Sequence, residues 1–145
     1  MAIVQGGNVV ETVVIALDTG EDLLQVIEEA IVREKIANGV VVSGIGSLSK
    51  IHYHIVEPGT EKPWKDTFFE KEGTIEVMAL QGLIADGQPH LHITASQDDV
   101  AYGGHLEYGS IILTVGEVVI LKLDQPMERR LNHLGVGQLH PKERP

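Results

Sequence analysis

Apolar and polar positions fall into two rhythms along this chain, one helical and the rest extended. Leu23, Ile27, Ala30 and Ile31 recur at helical spacing, while Glu21, Glu28, Glu29 and Arg33 occupy the other side. Thr19 and Asp22 stand at capping-box spacing before this series, and Asn38-Gly39 follows it, with Gly39 suited to a left-handed residue just past a helix end. The pattern predicts one main helix closed at Asn38-Gly39. Beyond Gly39 the period becomes two. Strands are expected at Val40 to Ile45, ending in the Gly44/Gly46 pair, and at Ile51 to Val56, with Ile51, Tyr53 and Ile55 on one face and His52, His54 and Val56 on the other. Further strands are expected at Thr67 to Lys71, Thr74 to Ile84, His90 to Ala95 and Ser110 to Leu123, the last broken at Gly116, with Val9 to Leu17 as the opening strand.

Successive strands on short connections, with one main packed helix, predict an α+β fold built on a mainly antiparallel sheet. Periodicity lasts to about Leu123. The segment DQPMERRLNHLGVGQLHPKERP lacks it and is rich in turn formers, so residues 1–123 read as one domain and 124–145 as a C-terminal arm or tail.

Composition narrows the function classes. With 43% hydrophobic residues in 145, the chain has enough apolar side chain for a sizeable core. Eleven Lys and Arg against twenty-one Asp and Glu give a net charge of −10, which opposes general attraction to nucleic acid or anionic lipid. Cysteine is absent, so disulfides, thiolate zinc sites and cysteine nucleophiles are excluded, and a metal can sit only on His, Asp or Glu. The N-terminus has no basic stretch and meets Glu11 before an apolar run develops, and no run approaches the ~18 residues of a membrane span. A soluble cytoplasmic protein is expected.

Chemistry concentrates in the seven histidines. His90 and His92 flank Leu91, and strand residues two apart share a face at about 6.6–7 Å, a span that two imidazoles can close onto one ion. His105 follows Gly103-Gly104, where the backbone can bend to bring a third imidazole inward. Three histidines around zinc or a similar divalent ion leave a fourth position open, the catalytic arrangement. The same spacing equally describes the polar face of a half-buried strand. His52 and His54 repeat it without a glycine-turned third histidine and read as an exposed strand face, or as part of the same cavity. His133 and His140 lie in the arm and read as solvated. Glu76 is a carboxylate within an apolar strand, either a general acid/base near a metal or a strand or subunit contact. Asp98 and Asp99 are turn residues. No phosphate-cradling loop and no nucleophile elbow is present.

VSGIGSLSK (Val42 to Lys50), EGTIEVMALQG (Glu72 to Gly82), PHLHITASQDD and GGHLEYGSI, in that order, resemble the plants-and-prokaryotes-conserved (PPC) domain from the opening strand to Leu123. The resemblance implies a largely antiparallel domain that assembles as a homotrimer. Plant members are DNA-binding regulators with a basic Arg-Gly-Arg-Pro arm, which this chain lacks; it is similar to the prokaryotic type. The family fold is also similar to that of acetolactate decarboxylase, whose zinc is held by an H-x-H pair and a later histidine. His90, His92 and His105 match that pattern, and the resemblance favours a metal site there. Three functions follow: a trimeric metal-binding protein, with or without a small ligand, in a regulatory or unknown role; a zinc-dependent lyase or hydrolase of a small acid, with Glu76 carrying a proton; and direct DNA binding. The charge speaks against the last, because the cations are scattered and only Arg129, Arg130, Lys142 and Arg144 gather, on an arm that also holds Glu128 and Glu143.

Overall fold

A computed structural model describes residues 3–59 and 64–143; Arg144 lies outside them. Eight strands and one helix follow in the order β1 (Val9–Asp18), α1 (Leu23–Arg33), β2 (Asn38–Pro58), β3 (Trp64–Ala85), β4 (Gln88–Gln97), β5 (Val100–Leu106), β6 (Ile111–Leu123), β7 (Met127–Leu131) and β8 (Gly137–Pro141). The first six strands form one antiparallel sheet in the order β1-β6-β2-β3-β4-β5, and β7 and β8 form a separate hairpin. The α+β class and the antiparallel sheet are therefore as the patterning predicts.

Helix α1 sets its apolar stripe, Leu23, Leu24, Ile27, Ala30 and Ile31, into the same buried cluster as Leu48, Ile75, Leu80, Ile112 and Ile120 from the sheet. Its bounds differ from the expected ones. Asp22, rather than Thr19, is the N-cap: its carboxylate accepts from the Leu24 and Gln25 amides at 3.0 and 3.2 Å. Thr19 instead donates to the Thr114 carbonyl. The helix closes at Glu34, and the left-handed residue is Lys35 (φ 53°), not Gly39. Asn38 and Gly39 already belong to β2, because the sheet ladder captures them.

The two expected strands at Val40 and Ile51 are one strand, β2, which passes Gly44 and Gly46 without ending and absorbs its bends in register shifts against β6. Likewise β3 joins Thr67–Lys71 to Thr74–Ile84, and β6 runs through Gly116 unbroken. Two-residue turns at Asp86-Gly87 and Asp98-Asp99 connect β3 to β4 and β4 to β5; Asp86, Gly87 and Asp98 have positive φ (51°, 74° and 55°), as tight hairpins require. Strand β5 has no counterpart in the patterning, since VAYGGHL does not alternate. It pairs with β4 and, through Tyr53↔Leu106 and His54↔His105, returns to β2, so that β2, β3, β4 and β5 close on one another.

Within the C-terminal arm, Met127–Leu131 and Gly137–Pro141 pair as a hairpin. Met127 is buried, and its amide donates to the Asn38 side-chain oxygen at 2.9 Å. Lys142 pairs with Asp86 at 2.6 Å, and Arg129 donates to the Leu83 carbonyl at 3.3 Å. Asn38 thus ties three segments together, since the Asp86 amide also reaches its oxygen at 3.5 Å. Asn38→Ala strands the buried Met127 amide, at a cost of about 1–3 kcal/mol. Thermal denaturation is expected to show a midpoint lowered by several degrees; an unchanged midpoint would mean that the hairpin does not depend on the Asn38 bond.

Candidate metal centre

The histidines meet because of register. His54 on β2 lies directly opposite His105 on β5, and His105 lies opposite His92 on β4. Directly paired residues of a sheet point to the same side, and neighbouring strands are about 4.8 Å apart, so these three imidazoles form a row across three strands. His90, two residues before His92, joins them from the same face of β4, while Leu91 and Ile93 between and after them point into the core at 1% exposure each.

The ring centroids record the result. His54 stacks on His105 at 4.5 Å, and His90 lies 4.9 Å from His105, 5.4 Å from His92, with His92 and His105 at 5.7 Å. The rings of His90, His92 and His105 therefore lie side by side, with His54 next to them. His105 arrives by a different route from the expected one. It sits on a strand rather than on a glycine-flexed turn, and Gly103 and Gly104 serve close approach: a Cβ on Gly103 would stand 2.1 Å from the Ile93 oxygen, and one on Gly104 2.3 Å from the His54 oxygen.

Glu107 completes the cluster and was not among the residues the sequence pointed to. Its carboxylate takes a 2.6 Å hydrogen bond from His54 Nδ1 and lies 3.3 Å from His105 Nδ1, which also meets the Leu106 carbonyl at 3.0 Å. Among the described residues, His54, His105 and Glu107 are the group whose ligand atoms all lie within 4.8 Å of one another. The H-x-H at His52 and His54 was the available signal for His54; nothing local marks Glu107, which acts only after β5 and β2 meet. His52 turns elsewhere and bonds the Tyr108 carbonyl through Nδ1 at 2.7 Å.

Burial and neighbouring charges lower the pKa of two members of this cluster, His90 and His105. The pKa of His90 is pushed down to about 4, first by desolvation and then by the charges of His105 and Arg129. That of His105 is lowered by burial and by His54, against the opposing pull of Glu107. Neutral imidazoles are the form that binds a metal, so no proton has to leave His90 at neutral pH.

Glu76 is elsewhere. It is exposed on β3, opposite Ser47 and Ser96, and does not line the cleft in front of the histidines. His133 is exposed and His140 half-buried, both on the C-terminal arm. The cleft has a volume of about 1130 Å³ and runs between the histidine face and the β7–β8 hairpin, with Trp64, Asp66, Arg129 and Val136 among its walls. Among the described residues, no helix is long and apolar enough to cross a membrane.

Comparison with known proteins extends this picture. A Bifunctional protein GlmU from a Synechococcus strain is 29% identical over 102 residues, 70% of this chain; the matched stretch is 15% of the relative's own length. Among solved structures, a metal-containing protein from Archaeoglobus fulgidus, AF0104, superposes with a TM-score of 0.81 at 24% identity, covering 95% of this chain and 98% of that one. A plant- and prokaryote-conserved protein from Pyrococcus horikoshii gives 0.79 at 24% identity, covering 97% and 99%. A protein from Bacteroides thetaiotaomicron, described as a candidate DNA-binding protein, gives 0.78 at 22%, covering 92% and 94%. These likenesses establish the shared fold. The family model of the Plants and Prokaryotes Conserved (PCC) domain matches residues 4–124, and the chain belongs to that family.

Proposed function

We propose that this chain is a trimeric metal-binding protein that holds zinc or a similar divalent ion on His90, His92 and His105. The observation that carries the reading is the convergence of these three imidazoles, with ring centroids 4.9–5.7 Å apart, on one wall of a cleft. The surroundings of His105 favour this set. Its Nδ1 faces Glu107 and the Leu106 carbonyl, which leaves Nε2 for an ion, and a carboxylate behind a ligating histidine orients the ring and raises its basicity. In this reading Glu107 and His54 support the site from behind. The metal-containing Archaeoglobus neighbour is consistent with it. Three histidines leave a position on the ion open to the cleft, where it would supply Lewis acidity. The position of Glu76 offers no support for a proton-carrying role.

Protein purified without chelator is expected to carry about one ion per chain by elemental analysis, and His92→Ala to lose it, whereas Glu107→Gln should weaken affinity by only about 10–100-fold. If His92→Ala keeps its metal while Glu107→Gln loses it, the ion belongs to His54, His105 and Glu107 instead.

The homotrimer reading has its physical support in the outer side of the sheet, where Val14, Ile45, Met78 and Val115 are exposed at 53–67%. Light scattering after gel filtration should give the mass of three chains; a monomer at micromolar concentration contradicts it.

Direct DNA binding is disfavoured by how the cations are used. Arg33, Lys50, Lys65, Lys122, Arg130 and Lys142 each pair with a carboxylate, and Lys71 lies over the Tyr102 ring at 4.1 Å. With −10 per chain, few phosphates can be neutralised. Fluorescence anisotropy at physiological salt is expected to show no binding to duplex DNA, A·T-rich sequence included. Saturable sub-micromolar binding lost in Arg129→Ala/Arg130→Ala would overturn the charge argument.

A further inference from the structure

The segment that closes the cleft lies just after the stretch matched by the family model. The family match ends at 124, and the hairpin Met127–Pro141 that follows forms the wall facing the histidines. Arg129 is its contribution to the chemistry of the cleft.

The charges around Arg129 are already spoken for. Asp86 is held by Lys142 at 2.6 Å, Glu128 accepts from Arg130 Nε at 2.7 Å, and Asp66 lies 3.9 Å from His54 Nε2. Arg129 has no carboxylate partner among the described residues; its one hydrogen bond is to the Leu83 carbonyl at 3.3 Å. A guanidinium presents five N–H donors in a flat fork, so most of its capacity faces the cleft unspent. Burial lowers its pKa, and its charge acts on His90, which places it within electrostatic reach of the histidines. Trp64, Val56 and Val136 supply apolar surface in the same cleft.

We propose that the cleft binds an organic carboxylate, with the carboxylate on the Arg129 fork, the apolar body against Trp64, Val56 and Val136, and a neighbouring oxygen directed at the histidine site. The last contact rests on the metal reading above; the Arg129 contact does not. A carboxylate fits better than a phosphate. The fork geometry suits both, but Asp66, Asp86 and Glu128 line the same cleft in a chain of charge −10, so a second negative charge on the ligand meets repulsion that a single one largely escapes. The volume of about 1130 Å³ admits a ligand considerably larger than acetate.

Trp64 is the sole tryptophan of the chain and lines the cleft, so its emission reports occupancy directly. The full-length protein would be titrated with mandelate, with the uncharged mandelamide and with inorganic phosphate, each in EDTA and with zinc. Mandelate is expected to change Trp64 emission saturably in both conditions, more tightly with zinc, and to bind at least about tenfold better than mandelamide or phosphate. Arg129→Gln should remove that preference for the charged ligand, with circular dichroism unchanged. The proposal is overturned if mandelate gives no saturable change, if mandelamide binds as well, if phosphate binds more tightly, or if Arg129→Gln binds mandelate like the wild type. The two readings separate cleanly. Arg129-dependent binding that zinc does not strengthen leaves this proposal standing and counts against the metal site; a zinc-loaded protein indifferent to mandelate does the reverse.

Discussion

The close approach of β5 to both β4 and β2 is the constraint on which the functional face depends. At Gly103 and Gly104 the flanking backbone stands where a side chain would begin, 2.1 Å from one hypothetical Cβ and 2.3 Å from the other. No residue larger than glycine allows both ladders to form without displacing a strand. Once they form, His54, His105 and His92 fall into a single row, His90 follows by the period of two, and Glu107 is delivered to the Nδ1 side of His54 and His105. Site and fold are thus consequences of one backbone contact. The hydrophobic side of the same strands reinforces it, since Leu91, Ile93 and Leu106 are each about 1% exposed beneath the histidines.

What could be read along the chain was whatever depends on near neighbours. The helix stripe from Leu23 to Ile31, the buried Ile51 and Tyr53 against the outward His52 and His54, and the shared face of His90 and His92 are all set by local period. Boundaries were harder. Asn38-Gly39 has the composition of a helix stop, yet the chain reverses earlier at Lys35, because pairing to β3 and β6 claims Asn38 onwards as strand. Glu107 and the pairing of His54 with His105 depend on register between segments some fifty residues apart, which no local period records. The role of the two glycines was inverted for the same reason: as sequence they resemble a flexible turn, and only the neighbouring strands show that space, not flexibility, is the requirement.

The arm illustrates a different limit. Its lack of periodicity reads as an arm or tail, and the contacts that hold its described part are point contacts, among them Asn38 to Met127, Asp86 to Lys142 and Arg129 to Leu83. Polar anchors leave no periodic signature. They do place a half-buried guanidinium in the same cleft as the histidine cluster, beside Asp66, Asp86 and Glu128.

Anomalous X-ray scattering at the zinc edge, from crystals grown without chelator, tests the central claim most directly. The account predicts one peak per chain, about 2.0–2.1 Å from a ring nitrogen of each of His90, His92 and His105, with its open side toward the hairpin cleft. A peak bound instead by His54 and Glu107, or no peak at the histidine row, would contradict it.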